Sequence, residues 1–131
     1  MKKMLGKKIV VIDDDESIRK TFFLILNKKY RVYLAKDSQE ALARFKNGKI
    51  DLLIVDLKLP NLNGLEIVSR FRELGYKGEV ILISAYSEQV DLEQFSRLAI
   101  SHFFVKPLDL EALTKSIDYL LQTEKRTEKR I

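Results

Sequence analysis

The residues best equipped for chemistry in this 131-residue chain are the acidic run Asp13-Asp14-Asp15, a lone Asp56, the hydroxyl of Ser84 and the ammonium of Lys106. Each follows a short apolar run. Ile9-Val10-Val11-Ile12 precedes Asp13, Leu52-Leu53-Ile54-Val55 precedes Asp56, Val80-Ile81-Leu82-Ile83 precedes Ser84, and Phe103-Phe104-Val105 precedes Lys106-Pro107. If these runs are parallel strands, their carboxyl ends share one edge of the sheet, where ligands bind in open α/β folds. Carboxylates, a hydroxyl and an amine gathered there suit an aspartate that takes a phosphoryl group beside a divalent cation.

The physical reason is electrostatic. Two carboxylates ~4 Å apart repel by ~4 kcal/mol at an effective dielectric of ~20, which raises the pKa of at least one of them. A divalent cation removes that penalty. Mg²⁺ (or Mn²⁺) suits an all-oxygen set and retains several waters, whereas a chain with no Cys and a single His102 has no zinc-type ligand set. Asp14 and Asp56 are the expected direct carboxylate ligands. Phosphoryl transfer also needs an in-line nucleophile and neutralisation of three equatorial oxygens. Asp56 is the expected acceptor, because it stands alone before a Pro60/Asn63/Gly64 loop that leaves room for a donor. The cation covers one oxygen, the Ser84 hydroxyl a second and Lys106 the third. Taken singly, each residue has a plainer reading. Asp13 through Glu16 could serve only as an N-cap and an acidic first helical turn, and Asp15 is assigned that part. Asp56 and Ser84 could be turn residues, and Lys106 a surface cation. Four such residues at one sheet edge favour the joint reading.

The elements that must position them alternate strictly. Strand one spans about Lys8–Asp13, and a helix follows with Ile18, Phe22, Ile25 and Leu26 on one face. Strand two is Tyr30–Ala35, with Arg31 and Tyr33 marking a more exposed strand. Helix two starts at an N-cap Ser38, turns Ala41, Leu42 and Phe45 inward and stops at Asn47-Gly48. Strand three is Leu52–Asp56, and after Pro60 and an Asn63-Gly64 turn a third helix runs to about Leu74. Gly75 and Gly78 bracket the return to strand four, Glu79–Ser84. Helix four, about Glu88–Leu98, has the weakest stripe (Leu92, Phe95, Leu98, Ala99). Strand five is Phe103–Val105, preceded by His102 as a loop or edge residue. The last helix carries Leu110, Leu113, Ile117, Leu120 and Leu121 at helical spacing. Continuous apolar strands between helices indicate a parallel sheet covered on both faces. The expected fold is α/β, a (βα)5 doubly wound, flavodoxin-like domain with strand order 2-1-3-4-5, which sets Asp13, Asp14 and Asp56 together at the switch point.

Composition bounds the rest. With 46% hydrophobic and 33% charged residues the chain reads as one globular domain, 1–123, followed by a charged tail or linker start, 124–131. No apolar run is long enough to cross a membrane, and no apolar signal segment precedes strand one. The expected location is the cytoplasm. The net charge of +5 does not point to nucleic acid. Eight cations at the two ends, set against Glu124 and Glu128, carry +6 and leave −1 for the body of the domain.

Four pieces carry a family resemblance: Val11-Ile12-Asp13-Asp14-Asp15, Asp51 through Gly64, Ile83-Ser84-Ala85 and Phe104-Val105-Lys106-Pro107. In this order at strand ends they make the chain similar to the receiver domain of two-component response regulators, from about Lys7 to Leu121. The resemblance implies a phosphoacceptor signalling domain that promotes only its own phosphorylation and dephosphorylation. It implies Asp56 as acceptor, Asp13 acting on the metal through water, and the Lys58 backbone carbonyl as a further ligand. Ser84 and the aromatic Phe103 would form the switch, Lys58 and Tyr86 would tune the phosphoryl lifetime, and a cis Lys106-Pro107 bond would aim Lys106 into the site. The implied partners are a sensor histidine kinase or histidine phosphotransfer protein and a downstream output, with homodimerisation allowed through the helix four, strand five and helix five surface.

The chain departs from the usual family pattern at Leu59, Leu62, Asn63, Ser84 and Ala99, the last at a position that is frequently Gly. Two other classes compete. One is a haloacid-dehalogenase-type phosphatase using Asp13 as nucleophile, for which a second acidic pair after Lys106 is missing. The other is an interaction module without phosphorylation.

Overall fold

The computed structural model describes residues 6–59, 63–85 and 91–122. Five strands alternate with five helices in the order β1 (Lys8–Ile12), α1 (Glu16–Leu26), β2 (Arg31–Ala35), α2 (Ser38–Lys46), β3 (Leu52–Asp56), α3 (Gly64–Glu73), β4 (Glu79–Ser84), α4 (Leu92–Arg97), β5 (His102–Val105) and α5 (Leu110–Leu121). All strand pairs are parallel, and the sheet order is β2-β1-β3-β4-β5. The doubly wound architecture expected from the alternation is therefore the one observed.

Burial explains the apolar runs. Every residue of β3 is buried, and β1 and β4 are buried beyond their first residue. Alternate strand residues face opposite sides, so each run supplies two cores. Val10, Ile12, Leu53, Val55, Val80 and Leu82 pack with Ala41 of α2, with Ile67, Val68 and Phe71 of α3, and with Leu98. Ile9, Val11, Leu52, Ile54, Ile81 and Ile83 pack with Phe22 and Leu26 of α1 and with Leu113, Ile117 and Leu121 of α5. Each fully buried side chain of this kind contributes roughly 1.5–3 kcal/mol of burial free energy. The edge strands are more exposed, as Arg31 and Tyr33 indicated for β2. His102 opens the β5 edge strand and is exposed. No helix among the described residues is long and apolar enough to cross a membrane.

Several local details differ from the sequence expectations. Strand one ends at Ile12, although the Asp13 N–H still bonds to the Ala35 carbonyl at 3.1 Å. Asp37, not Ser38, caps α2, because its carboxylate accepts from the Glu40 N–H at 3.0 Å. Asn63 and Gly64 do not form a turn of their own. Asn63 is the N-cap of α3, in a capping box with Glu66, and Gly64 is the first helical residue. Strand five starts one residue early, at His102. Leu92 and Ala99 are exposed rather than on a packed stripe, and Leu110 is 38% exposed. The described part of α4 has no buried residue, which accounts for its weak pattern. The helix-four start near Glu88 and the charged tail 124–131 lie outside the described residues.

Candidate functional site

Two strand ends build one acidic cluster. Asp13 follows β1 and is fully buried, Asp56 closes β3 at 6% exposure, and Asp14 is exposed beside them. One carboxylate oxygen from each lies within 4.8 Å of the others. This convergence follows from the topology, since β1 and β3 are neighbours at the point where strand order reverses. Asp15 is not part of the cluster. It caps α1, accepting from the N–H and hydroxyl of Ser17 at 2.9 Å each, as its plainer reading held.

Lys106 reaches the cluster from beyond β5. Its Nζ lies 3.3 Å from Asp13 Oδ2 and 3.2 Å from Asp56 Oδ2. The Lys106 N–H donates to the Ser84 carbonyl at 2.7 Å, which ties the β5 end to the β4 end. The Lys106-Pro107 peptide bond is cis. Ser84 is buried at the end of β4, the strand lying between those of Asp56 and Lys106. Phe103 is half-buried and meets the Phe95 ring edge-on at 5.5 Å. Lys58 is exposed, and its N–H donates to Asp56 Oδ1 at 3.1 Å. Tyr86 lies outside the described residues.

The electrostatics are those of a charge-loaded pocket. Burial raises the Asp13 carboxyl above its ordinary pKa, and the neighbouring Asp56 adds to the rise. The Asp15 N–H and the Lys106 ammonium oppose it. Burial also works against the charge on Lys106, but Asp13 and Asp56 together outweigh it and lift its pKa above that of a free lysine. One ammonium thus faces the two buried carboxylates of the cluster. The donor set consists of oxygens only, two of its three members buried, which fits a hard divalent cation better than a thiolate- or imidazole-seeking one.

Two further residues belong to the frame of the site: Arg19, assigned no role from sequence, and Gly64, read there as a loop and turn residue. Arg19, on α1, donates from Nη1 to the Asp13 carbonyl at 2.7 Å. Gly64 sits where a Cβ would lie 2.5 Å from the Asp56 carbonyl oxygen and 2.9 Å from Leu57 Cα, so only glycine lets α3 start this close to β3. The signal for Gly64 was its place just after the Asp56 loop. Arg19 had no signal, because an Arg in an amphipathic helix ordinarily reads as surface.

A doubly wound α/β domain with an acidic, lysine-bridged cluster at its switch point belongs to the class that works at the carboxyl ends of its strands. The sequence pattern of the response regulator receiver domain matches residues 9–118, and the chain belongs to that family. It is 28% identical to sporulation initiation phosphotransferase F of Bacillus subtilis over 115 residues, 87% of this chain and 93% of that protein. It is 33% identical to response regulator RR06 of Streptococcus pneumoniae, covering 87% of this chain but 52% of that protein. The chain therefore spans about half the length of some relatives and nearly all of others. Among solved structures, the response regulator TrrA of Thermotoga maritima, in complex with Mg²⁺ and BeF, superimposes with a TM-score of 0.75 at 30% identity, over 88% of this chain and 99% of that one. The N-terminal domain of a Wolinella succinogenes protein reaches 0.83 at 28% identity, over 93% and 99%. The dehalogenase-type alternative gives way to this family membership.

Proposed function

We propose that this domain accepts a phosphoryl group on Asp56 from a phosphohistidine of a sensor histidine kinase or histidine phosphotransfer protein. The observation that carries the reading is the Lys106 ammonium held between Asp13 and Asp56 at the carboxylate cluster. Asp56 attacks phosphorus through a carboxylate oxygen, the P–N bond breaks, and the imidazole leaves with a proton. Lys106, a compact charge on a flexible stem, leaves its carboxylate contact for a phosphoryl oxygen. The Ser84 hydroxyl donates to another. Asp14 and Asp56 would hold Mg²⁺ or Mn²⁺ directly, Asp13 through water, with the Lys58 carbonyl as a further ligand. When bound, that cation supplies charge neutralisation for the carboxylates and the incoming phosphoryl group. The Mg²⁺ in the TrrA complex supports this choice of metal.

The domain acts as a signalling module and turns over no separate substrate. Phosphorylation adds charge and strong acceptors at the ends of β3 and β4. Ser84 then draws toward the phosphoryl group and Phe103 turns into the space released, which alters the α4, β5 and α5 surface read by an output domain, an output protein or a second copy. Exposed Leu92, Val105 and Leu110 on that surface support its use in contacts. Such a module works in the cytoplasm, where its kinase donor is, and binds neither membrane nor nucleic acid by itself.

The test is incubation with acetyl phosphate and Mg²⁺ followed by intact mass measurement and peptide mapping. One phosphoryl group on the peptide containing Asp56, absent in Asp56→Asn and absent without Mg²⁺, is expected. An unmodified wild-type protein would instead leave an interaction module without phosphorylation.

A further inference from the structure

We infer that Arg19 is a positioning residue for Asp14, and so for the cation the acidic cluster would take. This rests on the proposed phosphoacceptor reading and assigns a role to a residue outside the carboxylate set.

The three carboxylates are not held equally. Asp13 is fixed from four sides. Its N–H donates to the Ala35 carbonyl, its Oδ1 accepts from the Asp15 N–H at 2.9 Å, its Oδ2 faces Lys106, and its carbonyl accepts from Arg19. Asp56 is in a buried strand and takes the Lys58 N–H and Lys106. Asp14 is exposed, and among the described residues its carboxylate has no hydrogen bond or ion pair of its own. Its place in the cluster is therefore decided by its backbone.

Two ties define that backbone. The Asp15 N–H bond uses a carboxylate oxygen of Asp13, an atom that a cation or its water shell would compete for. The Arg19 bond uses the Asp13 carbonyl, the oxygen of the peptide plane leading into Asp14, and leaves both Asp13 carboxylate oxygens for other partners. At 2.7 Å it is a short, charge-assisted contact. It is made from the first turns of α1, whose start is itself set by the Asp15 cap. Arg19 therefore holds the Asp13-Asp14 plane whether or not the carboxylates turn toward a cation.

The sign of the effect separates positioning from simple charge. Arg19 is a cation near an acidic cluster, so by Coulomb's law alone its removal would strengthen binding of a divalent cation. Loss of positioning does the reverse. Removal of an outer partner of this kind typically costs about 10–100-fold in metal affinity.

The experiment is a Mg²⁺ titration of wild type, Arg19→Met and Arg19→Lys, followed by backbone amide NMR shifts around Asp14 and Asp56, with melting of each protein in EDTA as a fold control. Arg19→Met is expected to need about ten-fold more Mg²⁺ for half-saturation, with Arg19→Lys in between. At saturating Mg²⁺, labelling by acetyl phosphate is expected to reach the wild-type plateau in both. An unchanged or lower half-saturation in Arg19→Met overturns the inference while wild-type binding leaves the phosphoacceptor reading intact. Should Arg19→Met fail to fold, the same judgement falls on Arg19→Gln. Wild-type protein that shows no Mg²⁺-dependent shifts overturns the phosphoacceptor reading itself, and the role of Arg19 with it.

Discussion

The Lys106 ammonium lies 3.2 Å from Asp56 Oδ2, although the two residues are 50 positions apart and a whole strand, β4, separates their strands. The contact bridges the site, and its removal leaves the buried Asp13 and Asp56 facing each other with only the Asp15 and Lys58 N–H groups as donors among the described residues. Lys106→Met is expected to destabilise the metal-free protein by about 1–3 kcal/mol at neutral pH, the range for lost charge-assisted hydrogen bonds. Asp13 titrates above its ordinary pKa in the folded protein because it is buried and because Asp56 is near. A raised folded pKa means its stabilising share is present below the unfolded value of 3.8 and is lost as pH rises through the folded value. The Lys106→Met penalty should therefore shrink as pH falls and Asp13 takes up a proton. Urea unfolding of both proteins from pH 7.5 down to acid checks this, and a pH-independent penalty would contradict it.

Stabilisation by Mg²⁺ should follow the same slope and grow as pH rises. A cation favours ionised carboxylates, so it must displace a proton from Asp13 wherever Asp13 is protonated. Thermal melts with Mg²⁺ at 100 times its Kd should show about 2.7 kcal/mol of stabilisation near pH 7.5, and less in acid. The Asp14→Ala and Asp56→Asn variants should lose most of it. An equal shift in wild type and Asp14→Ala would remove Asp14 from the ligand set.

The phenol of Tyr30, 2% exposed, donates to Asp118 on α5, and Lys29 Nζ meets the other carboxylate oxygen at 2.9 Å. Burial, together with Asp118, pushes the Tyr30 pKa upward, and burial does the same for Tyr76. Stability from both is therefore complete below pH 10.0 and falls as pH rises beyond it. Tyr30→Phe is expected to cost about 1 kcal/mol at neutral pH and to flatten the alkaline decline. Denaturant unfolding across the alkaline range, with ultraviolet titration of tyrosinate, measures both.

Arg72 ties the end of α4 to the segment before β4 through four carbonyls. Nε donates to Leu98 at 3.0 Å, Nη2 to Ala99 at 3.2 Å, and Nη1 to Tyr76 at 3.1 Å and Gly78 at 2.9 Å. Arg72→Met should cost about 1–3 kcal/mol, and Arg72→Lys should recover little of it, since an ammonium lacks the planar fork. Ala99, at φ 57°, adopts the left-handed conformation. Ala99→Gly should stabilise the domain by about 0.5–1 kcal/mol, the strain relieved less the added freedom of the unfolded chain. Chemical denaturation of the three variants decides, and a destabilised Ala99→Gly would contradict the strain.

Lys58 follows the proposed acceptor by two residues and Tyr86 follows Ser84 by two, and both are bulky enough to shield an acyl phosphate from water. The phosphorylated protein is expected to be long-lived, and the Lys58→Ala/Tyr86→Ala double variant to lose its phosphoryl group several-fold faster. Equal decay rates of purified phosphoproteins would refute the shielding.

The alternation of apolar runs with helical stripes was enough to define the fold class. Strand burial on both faces leaves a pattern that β3, buried throughout, shows in full. Residues at strand ends were legible for the same reason: a run that stops abruptly at Asp56, Ser84 or Lys106 marks the sheet edge. Boundaries and caps were less legible. Asp37 and Ser38 are both good caps, and only the carboxylate bond to the Glu40 N–H separates them. Helix α4 was faint because it buries none of its own residues in the described part.

Sequence by itself determined which residue types reach the working edge, because β-strand periodicity and chain alternation are local properties. Only the tertiary structure decided how they meet. That Lys106 faces Asp13 and Asp56 together, that Arg19 reaches back to the Asp13 carbonyl, and that Gly64 presses on the Asp56 backbone depend on strand order and helix packing. Those are set by distances between segments far apart in the chain, which no local pattern encodes.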